Sequence, residues 1–551
     1  MTDTWAILEK KERSHVCFYI LVDVFIIVAD IAALIVLLFL INLYTQPLHT
    51  SIITDLFPSI FITQTSVLPI TVFLFLFSAK NIFAYYIHQL RYRFLYKIAA
   101  RIADRNLLQY LEGNYTSYVM VDSAVQIRRI SQEPIEFSHY VLAGILQIIT
   151  QSIMIGIAIV AILIFNAGLF LLLFIILLPP IGLVAYLIKR KTRTARSNAK
   201  KSSENTLQFL KEALAGYVEA NIYGKHDFFK QRYSSWQQKL NAHLSDIQAI
   251  QGMPNRMIEI FAVTGLFILI AINQQSANAN AIINIGAFMA AAYKIMPAAV
   301  QILNNSGQVK AYGFTVTDLL PVQPDKTTTG IQQPPEQIQS VSFSNTCFQY
   351  GHQKILDDFN TCLSKGDFAG IEGKSGRGKT TIVHLLLGFL EPQSGSIRIN
   401  NKSANDIIRQ QYWKRIAYVK QQPFLLHDSI LTNITLGGSG YDNDRLEEVI
   451  RITGLGELVN SSAYGINTTI TENGKNISGG QAQRIAIARA LYKDADLVIL
   501  DEPFNELDAA SENNLLDYFS ELARSGKIVI LITHNKESLS RCNKIISLHE
   551  N

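Results

Sequence analysis

The sequence has few cysteines and few charged residues, and both scarcities restrict the class of protein. Four cysteines, Cys17, Cys347, Cys362 and Cys542, are scattered through 551 residues. Their spacing fits neither a metal site nor a disulfide framework, so we expect reduced or incidental thiols. Charged residues make up only 17% of the chain and the net charge is +5, which does not indicate a nucleic-acid-binding protein.

We also expect no cleavable secretion signal at the N-terminus. The first stretch, "WAILEKKER", is charged and amphipathic, and the apolar run behind it is longer than the core of a signal peptide. Apolar residues are abundant instead: they make up 49% of the chain, and the mean hydropathy is +0.19. A chain of 551 residues is too long for one core, so we expect at least two domains.

The apolar residues are concentrated in six runs that are long enough to cross a bilayer, for which about 20 residues suffice. These runs are 17–44, 67–88, 137–165, 167–188, 256–274 and 281–303. The short joints "TQPLHTSIITDLF", "NAG" and "NQQSANAN" contain no Lys or Arg, whereas the long segments 89–136 and 189–255 begin with strongly basic sequence. The positive-inside rule therefore predicts that the long segments, the N-terminus and everything after residue 304 are cytoplasmic.

A change of composition marks a domain boundary after the last apolar run. The stretch "PVQPDKTTTGIQQPPEQIQ", residues 321–339, is rich in Pro, Thr and Gln and has no apolar period. After it, short β-like runs alternate with helical ones, a pattern typical of an α/β domain. We therefore expect a transmembrane domain at 1–310, a linker at 311–340 and a second domain at 341–551.

The second domain contains a complete phosphate-binding loop. "GKSGRGKT", residues 373–380, follows the apolar strand "FAGI" and opens an apolar helix, which is the context that the motif requires. Backbone N–H groups of the loop would surround phosphates, Lys379 would reach the β and γ groups, and Thr380 would bind Mg²⁺. The residues predicted to contact ATP here are Gly373, Ser375, Gly376, Gly378, Lys379, Thr380 and Thr381.

A second acidic motif indicates a nucleotide triphosphatase. "ADLVILDEP" reads as a buried strand that ends in two carboxylates. Asp501 is predicted to bind Mg²⁺ through the coordination shell of the ion, and Glu502 is placed to polarise an attacking water. A strand that ends in Asp-Glu means little alone, but together with the phosphate loop it predicts ATP hydrolysis.

The stretch "NISGGQAQRIAIARA" begins a helix with two consecutive glycines. Ser478 is a good N-cap, and a Gly-Gly pair allows a very close approach to the helix N-terminus, where an anion is favoured. "ISGGQ" closely resembles the signature "LSGGQ" of ATP-binding cassette proteins. The resemblance covers 341–551 and implies an ATP contact for Ser478, Gly479, Gly480 and Gln481.

Other residues follow from the same resemblance. Tyr350 resembles the aromatic residue that stacks on adenine, Gln421 the glutamine that reaches Mg²⁺ and the attacking water, and His534 the switch histidine. Asp508 resembles the aspartate of the D-loop, the turn that follows the catalytic glutamate. Two residues depart from the common pattern, Lys420 for proline and Glu506 for alanine, and we expect neither to touch the chemistry directly.

The resemblance also implies an assembly of two cassettes. In that family two cassettes dimerise head to tail, so the signature helix of one caps the γ-phosphate bound by the other. One cassette per chain then implies a homodimer, or a heterodimer with a second half-transporter. The fold class is an α-helical six-span membrane domain of exporter type, followed by an α/β ATP-binding cassette.

The membrane half resembles an exporter. The turn around Ala220–Gly224 resembles a coupling helix in the second cytoplasmic loop, and 111–130 resembles the first such loop. "EKKER", "FSAKNIFAYYIHQLRYRF" and "YKIMPAAVQI" resemble flippases of lipid-linked oligosaccharides. The resemblance implies that Mg-ATP drives the flipping of a bulky amphipathic substrate across the inner membrane. The expected partners are membrane lipids and this substrate, and no nucleic acid. A peptide exporter remains an alternative, as does an ATP-gated channel or regulatory subunit.

Charged residues near the predicted spans have two readings each. Asp23 and Asp30 share one helix face; they either line a polar cavity, or Asp23 is hydrated and Asp30 pairs with a neighbouring helix, the reading that we favour. Arg256 and Lys294 either meet an anionic head group or extend to the interface, the reading that we favour. Arg91 and Arg93 also lie near cytoplasmic helix ends, where they either gather an anionic head group or follow from the positive-inside rule alone. Tyr85, Tyr86 and Tyr92 are read as an interfacial belt.

Overall fold

A computed structural model gives the fold of the chain. It describes residues 2–45, 67–113, 121–165, single helical positions between 168 and 186, 198–275, 281–320, 336–374, 376–437, 440–471 and 474–548. The predicted outer joints, most of the fourth span, the start of the second basic segment, most of the linker and Ser375 lie outside the described residues. The chain forms two compact units that divide at residues 322 and 323.

The first unit is helical throughout its described residues. Its helices are α1 (Thr2–Ile7), α2 (Lys10–Thr45), α3 (Leu68–Leu111), α4 (123–165), α5 (198–215), α6 (Tyr217–Ile222), α7 (His226–Gln275), α8 (Ala281–Ala311) and α9 (Phe314–Asp318). Within α4, two π-helical turns, Arg128–Gln132 and Phe137–Leu142, flank the turn Glu133–Glu136. Such turns are uncommon and often lie at functional sites.

Three helices of the described residues are long and apolar enough to cross a membrane. They are Lys10–Leu37, Leu68–Leu111 and Ser123–Ile164. These helices cover most of the first three predicted spans. The predicted fifth and sixth spans lie within α7 and α8, and the fourth lies mostly outside the described residues. The helix α6 falls at the predicted second coupling helix, and Gly224 turns the chain after it with a φ of 60°.

Segment 312–320 packs within the first unit, although the sequence assigned it to the linker. Tyr312 and Leu319 are buried, and the ring of Tyr312 stacks on Tyr140 with centroids 3.9 Å apart. The core around them contains Leu95, Ile98, Ile102, Phe137 and Val141. The helical region that precedes the linker therefore continues past residue 310.

The second unit contains two sheets. An antiparallel sheet has the order β2-β1-β4-β5, and a parallel sheet has the order β6-β7-β8-β3-β9. The strands are β1 (Ser340–Tyr350), β2 (Gln353–Ser364), β3 (Phe368–Glu372), β4 (Ser394–Ile399), β5 (Lys402–Ser403), β6 (Ile416–Val419), β7 (Leu497–Asp501), β8 (Ile528–Ile532) and β9 (Lys544–Ser547). An α/β domain was predicted, and it is confirmed.

Helices connect these strands. They are α10 (Lys379–Leu386), α11 (Asp406–Gln411), α12 (Ile430–Thr435), α13 (Asn443–Ile452), α14 (Gly456–Ser461), α15 (Gly479–Tyr492), α16 (Ala509–Arg524) and α17 (Lys536–Ser540). The parallel strands are buried on both faces: Val498 and Leu500 of β7 point into one core, whereas Leu497 and Ile499 point into the other. This double burial explains why β7 reads as a continuous apolar run without alternation.

Candidate functional site

The candidate residues of the second unit follow the carboxyl ends of parallel strands. The phosphate loop follows β3, Gln421 follows β6, Glu502 follows β7 and His534 follows β8. Carboxyl ends of parallel strands meet at one edge of a sheet, where α/β proteins bind ligands. The parallel sheet therefore brings together four segments that are far apart in the sequence.

The phosphate loop turns through left-handed backbone at two glycines. Gly376 and Gly378 have φ angles of 82° and 90°. A Cβ on Gly378 would lie 2.5 Å from Cγ2 of Ile355, so both conformation and space require glycine there. Lys379 begins α10, its side chain is buried, and its Nζ donates to the Gly373 carbonyl at 2.8 Å. Thr380 is exposed and Thr381 is buried.

Glu502 lies at the centre of a cluster of polar groups. Its Oε2 accepts from Gln421 Nε2 at 2.7 Å and from Asn505 Nδ2 at 2.9 Å. Its Oε1 lies 3.8 Å from Nδ1 of His534 and 3.9 Å from Nζ of Lys379. The structure therefore brings together the residues that the sequence predicted for catalysis.

The backbone of Glu502 is strained. Its φ is 47°, a left-handed value that few residues other than glycine adopt. The Glu502 N–H donates to the Ile532 carbonyl at 2.9 Å, which ties the turn to β8. Strained conformations of this kind are concentrated at active sites, where the surrounding fold maintains them.

Asp501 differs from its neighbour because it is buried. Tyr418 donates its hydroxyl to Oδ2 of Asp501 at 3.3 Å, and the residue is only 7% exposed. Burial raises the pKa of the Asp501 carboxyl, although Tyr418 and the charge of Lys379 act in the opposite direction. A nearby cation would relieve this desolvation, and the oxygens of Asp501, Thr380 and Gln421 are the donors that Mg²⁺ prefers. The donor set fits a magnesium ion.

The N-terminus of α15 carries a capping box. The Ser478 hydroxyl accepts from the Gln481 N–H at 3.2 Å, and the Gln481 side chain accepts from the Ser478 N–H at 2.9 Å. This reciprocal arrangement satisfies two N–H groups of the first turn. Gln481 therefore caps the helix within its own chain.

The two glycines of α15 have an intrachain reason. A Cβ on Gly480 would lie 2.7 Å from the backbone oxygen of Glu506, and one on Gly479 would lie 2.9 Å from Oε2 of Glu506. The contact with a backbone oxygen requires the absence of a side chain at Gly480, whereas the flexible Glu506 carboxylate could move away from a side chain at Gly479. We expected Glu506 not to touch the chemistry directly, and that stays a prediction; its carboxylate lies beside Gly479, one of the predicted ATP contacts.

Asp508 joins the same loop to the signature helix. It caps α16 by accepting from the Ser511 N–H at 2.9 Å, and its Oδ2 lies 3.2 Å from Arg484 of α15. The backbone and side-chain hydrogen bonds of Ser511 lower the pKa of Asp508. The turn after Glu502, residues 503–508, is thus attached to the Glu502 side chain through Asn505 and to α15 through Asp508.

Tyr350 ends β1 and is half exposed. Its ring packs edge-on against Phe348, with ring centroids 4.9 Å apart. An aromatic ring that is partly exposed and held by a neighbour can accept a stacked base. The role in adenine binding stays a prediction.

A second group of charges lies in the membrane helices. Asp30 of α2 binds Lys80 of α3 with Oδ1 and Lys294 of α8 with Oδ2, the latter at 3.0 Å. The three side chains are 16–28% exposed. The predicted pairing of Asp30 with a neighbouring helix is confirmed. The cluster contains one carboxylate and two ammonium groups, so it carries a net positive charge.

The structure corrects two other readings of the membrane charges and supports a third. Asp23 is not merely hydrated, because it pairs with Arg91 of α3, which is 8% exposed. Lys294 does not extend to the interface, because it pairs with Asp30. Arg256 does extend outward: its side chain is 84% exposed and lies 3.7 Å from Glu259.

The predicted interfacial tyrosines also divide. Tyr85 and Tyr86 are exposed, which fits an interfacial belt. Tyr92 packs instead against the ring of His88, with centroids 4.8 Å apart. The belt reading stays a prediction for all three tyrosines.

Sequence reasoning missed four residues that contact the predicted site. Asn505 and Tyr418 contact Glu502 and Asp501, Arg484 binds Asp508, and Glu506 approaches Gly479. Asn505 could have been predicted from the sequence, because it lies three residues after Glu502 in a tight turn. The contact of Tyr418 spans 83 residues and has no local signal.

Two family models match the chain. Residues 137–290 match the ABC transporter transmembrane region, and residues 356–505 match the ABC transporter model of the nucleotide-binding domain. This chain is an ABC transporter. It carries a transmembrane and an ATP-binding domain in one multi-pass membrane protein.

Curated relatives and a solved structure agree with this family. An ATP-dependent lipid A-core flippase of Burkholderia pseudomallei is 29% identical over 68% of this chain. The matched part spans 64% of that relative's length. A protein of the same name from Ralstonia nicotianae is 27% identical over 74% of this chain and 70% of its own length.

The solved structure establishes the fold. A bacterial Atm1-family ABC exporter with ATP bound aligns with a TM-score of 0.80 and 17% identity. The alignment covers 96% of this chain and 93% of the exporter. The exporter architecture predicted from the sequence is confirmed.

Proposed function

We propose that two such chains, identical or paired with a second half-transporter, use Mg-ATP hydrolysis to flip a bulky amphipathic lipid. The cassettes lie in the cytoplasm, and the membrane is the inner membrane. A single observation carries the enzymatic part of this proposal: Gln421, Asn505, Lys379 and His534 converge on the Glu502 carboxylate. This convergence supports a general base held in one orientation.

The nucleotide site of this proposal uses residues from both chains. In one chain Tyr350 stacks on adenine, and Lys379 leaves the Gly373 carbonyl to bind the β- and γ-phosphates. Thr380, Gln421 and Asp501 would hold Mg²⁺, which neutralises charge on the phosphates. Ser478, Gly479 and Gly480 of the other chain complete the γ-phosphate contacts, since a helix N-terminus favours an anion.

Hydrolysis depends on the group that Glu502 polarises. Its carboxylate accepts a proton from the attacking water, and the amides of Gln421 and Asn505 hold that carboxylate in place. His534 lies 3.8 Å from the other carboxylate oxygen, and from there it would contact the γ-phosphate. Closure of two cassettes around ATP would turn the membrane helices outward, and hydrolysis would release them.

Replacement of Glu502 tests the enzymatic part. The Glu502→Gln chain should bind ATP but lose turnover by about 10²–10⁴-fold, because the amide cannot accept the proton. ATPase rate and ATP binding are measured on the purified chain in lipid nanodiscs. Glu521→Gln, an exposed carboxylate on α16, is the matched control.

Two outcomes would contradict this assignment. Undiminished hydrolysis by Glu502→Gln would mean that another group positions the water. ATP binding without turnover in the parent chain would favour an ATP-gated channel or a regulatory subunit.

The substrate class rests on the Lys80–Asp30–Lys294 cluster. Uncompensated charge is costly within a membrane domain, and ionisable residues there mark substrate pathways. One carboxylate cannot neutralise two ammonium groups, so the cluster favours an additional anion such as a phosphate on a glycolipid head group. Relatives named lipid A-core flippases support the same class.

Charge changes of opposite sign test the substrate class. Lys80→Gln should raise, and Asp30→Asn should lower, the concentration of a phosphorylated glycolipid that gives half-maximal ATPase stimulation. Arg256→Gln, an exposed cation outside the cluster, should leave that concentration unchanged. Equal concentrations in all four chains would exclude a head-group contact at the cluster, and stimulation by peptides alone would favour a peptide exporter.

A further inference from the structure

Glu506 places a carboxylate at the N-terminus of α15, where the proposed function also places the γ-phosphate of ATP. Its carboxylate oxygen lies 2.9 Å from the position of a Cβ on Gly479, at the N-terminus of the 14-residue helix α15. The partial positive charge of a helix N-terminus attracts anions. In the proposed function that same N-terminus meets the γ-phosphate of ATP bound by the partner subunit.

The loop around Glu506 is fixed at three points. Asn505 donates to Glu502 at 2.9 Å, the Glu506 backbone oxygen lies against Gly480, and Asp508 lies 3.2 Å from Arg484. The position of the Glu506 backbone therefore follows from the packing of the loop. The approach of the loop to α15 leaves the carboxylate beside Gly479.

The charge of Glu506 is not neutralised locally. Among the described residues, no hydrogen bond or ion pair joins its carboxylate to a cation, and the residue is exposed. By contrast, Asp508 in the same loop is paired with Arg484. A carboxylate of this kind repels a phosphate that approaches the same helix N-terminus, and the repulsion extends over several ångströms.

We propose that Glu506 is a positioning residue that opposes cassette closure. Its carboxylate lies at the N-terminus of the signature helix α15, where the γ-phosphate would bind, and it raises the ATP concentration needed for closure. This inference rests on the proposed shared ATP site. It gives Glu506 a role opposite to that of Ser478 and the two glycines, which attract the γ-phosphate. Closure would then require enough binding energy from ATP to overcome the carboxylate.

Charge removal at Glu506 tests the inference. In full-length chains that carry Glu502→Gln, Glu506→Gln should lower the ATP concentration for half-maximal ATP occlusion by about tenfold. Glu506→Ala should act in the same direction. Occluded ATP is measured as radiolabelled ATP retained after rapid gel filtration of nanodiscs.

Salt dependence distinguishes a charge effect from a change of shape. The difference between the parent and Glu506→Gln should shrink when NaCl rises from about 0.05 M to about 0.5 M, because ions screen the repulsion. Glu506→Asp should remain within about twofold of the parent, since the charge is retained. Glu521→Gln serves as the control for loss of one negative charge elsewhere on the cassette.

Failure of the inference differs from failure of the proposed function. If every chain occludes ATP at the same concentration, or if Glu506→Gln requires more ATP, the role of Glu506 is wrong and the shared site stands. If no chain occludes ATP, the shared site itself is wrong and the inference fails with it. Unfolding temperatures of all variants, measured without nucleotide, show whether each is folded.

Discussion

At the scale of single residues, two adjacent carboxylates meet different surroundings. Asp501 ends a buried strand and is 7% exposed, whereas Glu502 begins the next turn with a φ of 47°. Burial raises the pKa of Asp501, while the amides of Gln421 and Asn505 and the ammonium group of Lys379 lie around Glu502. The two residues are thus suited to different tasks: Asp501 to a metal ion and Glu502 to a water.

The raised pKa of Asp501 predicts a gain in stability when its charge is removed. A carboxyl whose pKa is higher in the folded than in the unfolded chain destabilises the fold above its unfolded pKa, and the penalty disappears below it. At pH 7 without nucleotide, Asp501→Asn should raise the unfolding temperature of the cassette by about 2–4 °C.

Two further measurements check this prediction. The advantage of Asp501→Asn should shrink as the pH falls towards 4, and Mg-ATP should stabilise the parent but not the variant. A variant that unfolds at a lower temperature than the parent at pH 7 would show that Asp501 supports the fold in another way.

At the scale of elements, the glycines of α15 serve packing as well as nucleotide binding. The close approach of Glu506 to Gly480 is an intrachain contact that exists without ATP. It therefore contributes to the stability of the nucleotide-free cassette. The sequence suggested a close approach by an anion, and the structure adds a close approach by the backbone of the same chain.

Gly480→Ala tests this second role. A Cβ 2.7 Å from a backbone oxygen forces the loop to shift, so the variant should lose about 1–3 kcal/mol of unfolding free energy without nucleotide. Gly456→Ala is the matched control, because a Cβ there meets nothing within 4 Å, and it should change stability by at most about 1 kcal/mol. Equal unfolding free energies of Gly480→Ala and Gly456→Ala would mean that Gly480 is required only for nucleotide binding.

A second element-level feature is the ionic network that attaches α9 to α4 and α5. Lys200 lies 2.7 Å from Asp318 and 3.5 Å from Glu133, and its Nζ lies 4.4 Å from the centre of the Phe314 ring. Arg129, in the first π turn, donates to the Asp318 carbonyl at 2.9 Å. The segment that precedes the linker is thus attached to a distorted helix rather than free.

A double-mutant cycle measures this attachment. Lys200→Met and Asp318→Asn should be coupled by about 1–2 kcal/mol in the unfolding of the detergent-solubilised chain, because Lys200 also contacts the buried Glu133. The exposed pair Arg541–Asp517, at 2.9 Å, is the control and should give at most about 1 kcal/mol. Equal coupling in both pairs would reduce the network to an ordinary surface interaction.

At the scale of the whole molecule, the proposed function requires two chains. The signature helix and the phosphate loop of one cassette would contact different ATP molecules. A mutation in the phosphate loop and a mutation in the signature helix of one chain should therefore impair different ATP sites. A chain with Lys379→Ala lacks the phosphate contact, and a chain with Ser478→Arg blocks the helix N-terminus.

Mixed dimers test the shared site. Lys379→Ala and Ser478→Arg chains, mixed and purified through two different tags, should contain one composite site with both lesions and one with neither. Their ATPase rate should exceed the rates of both pure variants. A rate no higher than the average of the two pure variants would mean that the sites are not shared.

The sequence alone determined the order of domains, the apolar spans and the phosphate loop, because these are properties of neighbouring residues. "GKSGRGKT" and "ISGGQ" indicate their chemistry within a few positions, and an apolar run indicates a membrane helix by its length. The roles assigned to their residues stay predictions.

Only the tertiary structure decided which distant groups meet. The reading of Asp23 as hydrated was wrong because Arg91, which neutralises it, lies 68 residues away on another helix. Lys294 was read as extending to the interface because its partner, Asp30, lies 264 residues away. The contact of Glu506 with Gly479 likewise appears only once the fold packs the Glu506 loop onto α15. Pairing of this kind depends on how helices and loops pack, and no local pattern in the sequence encodes that distance.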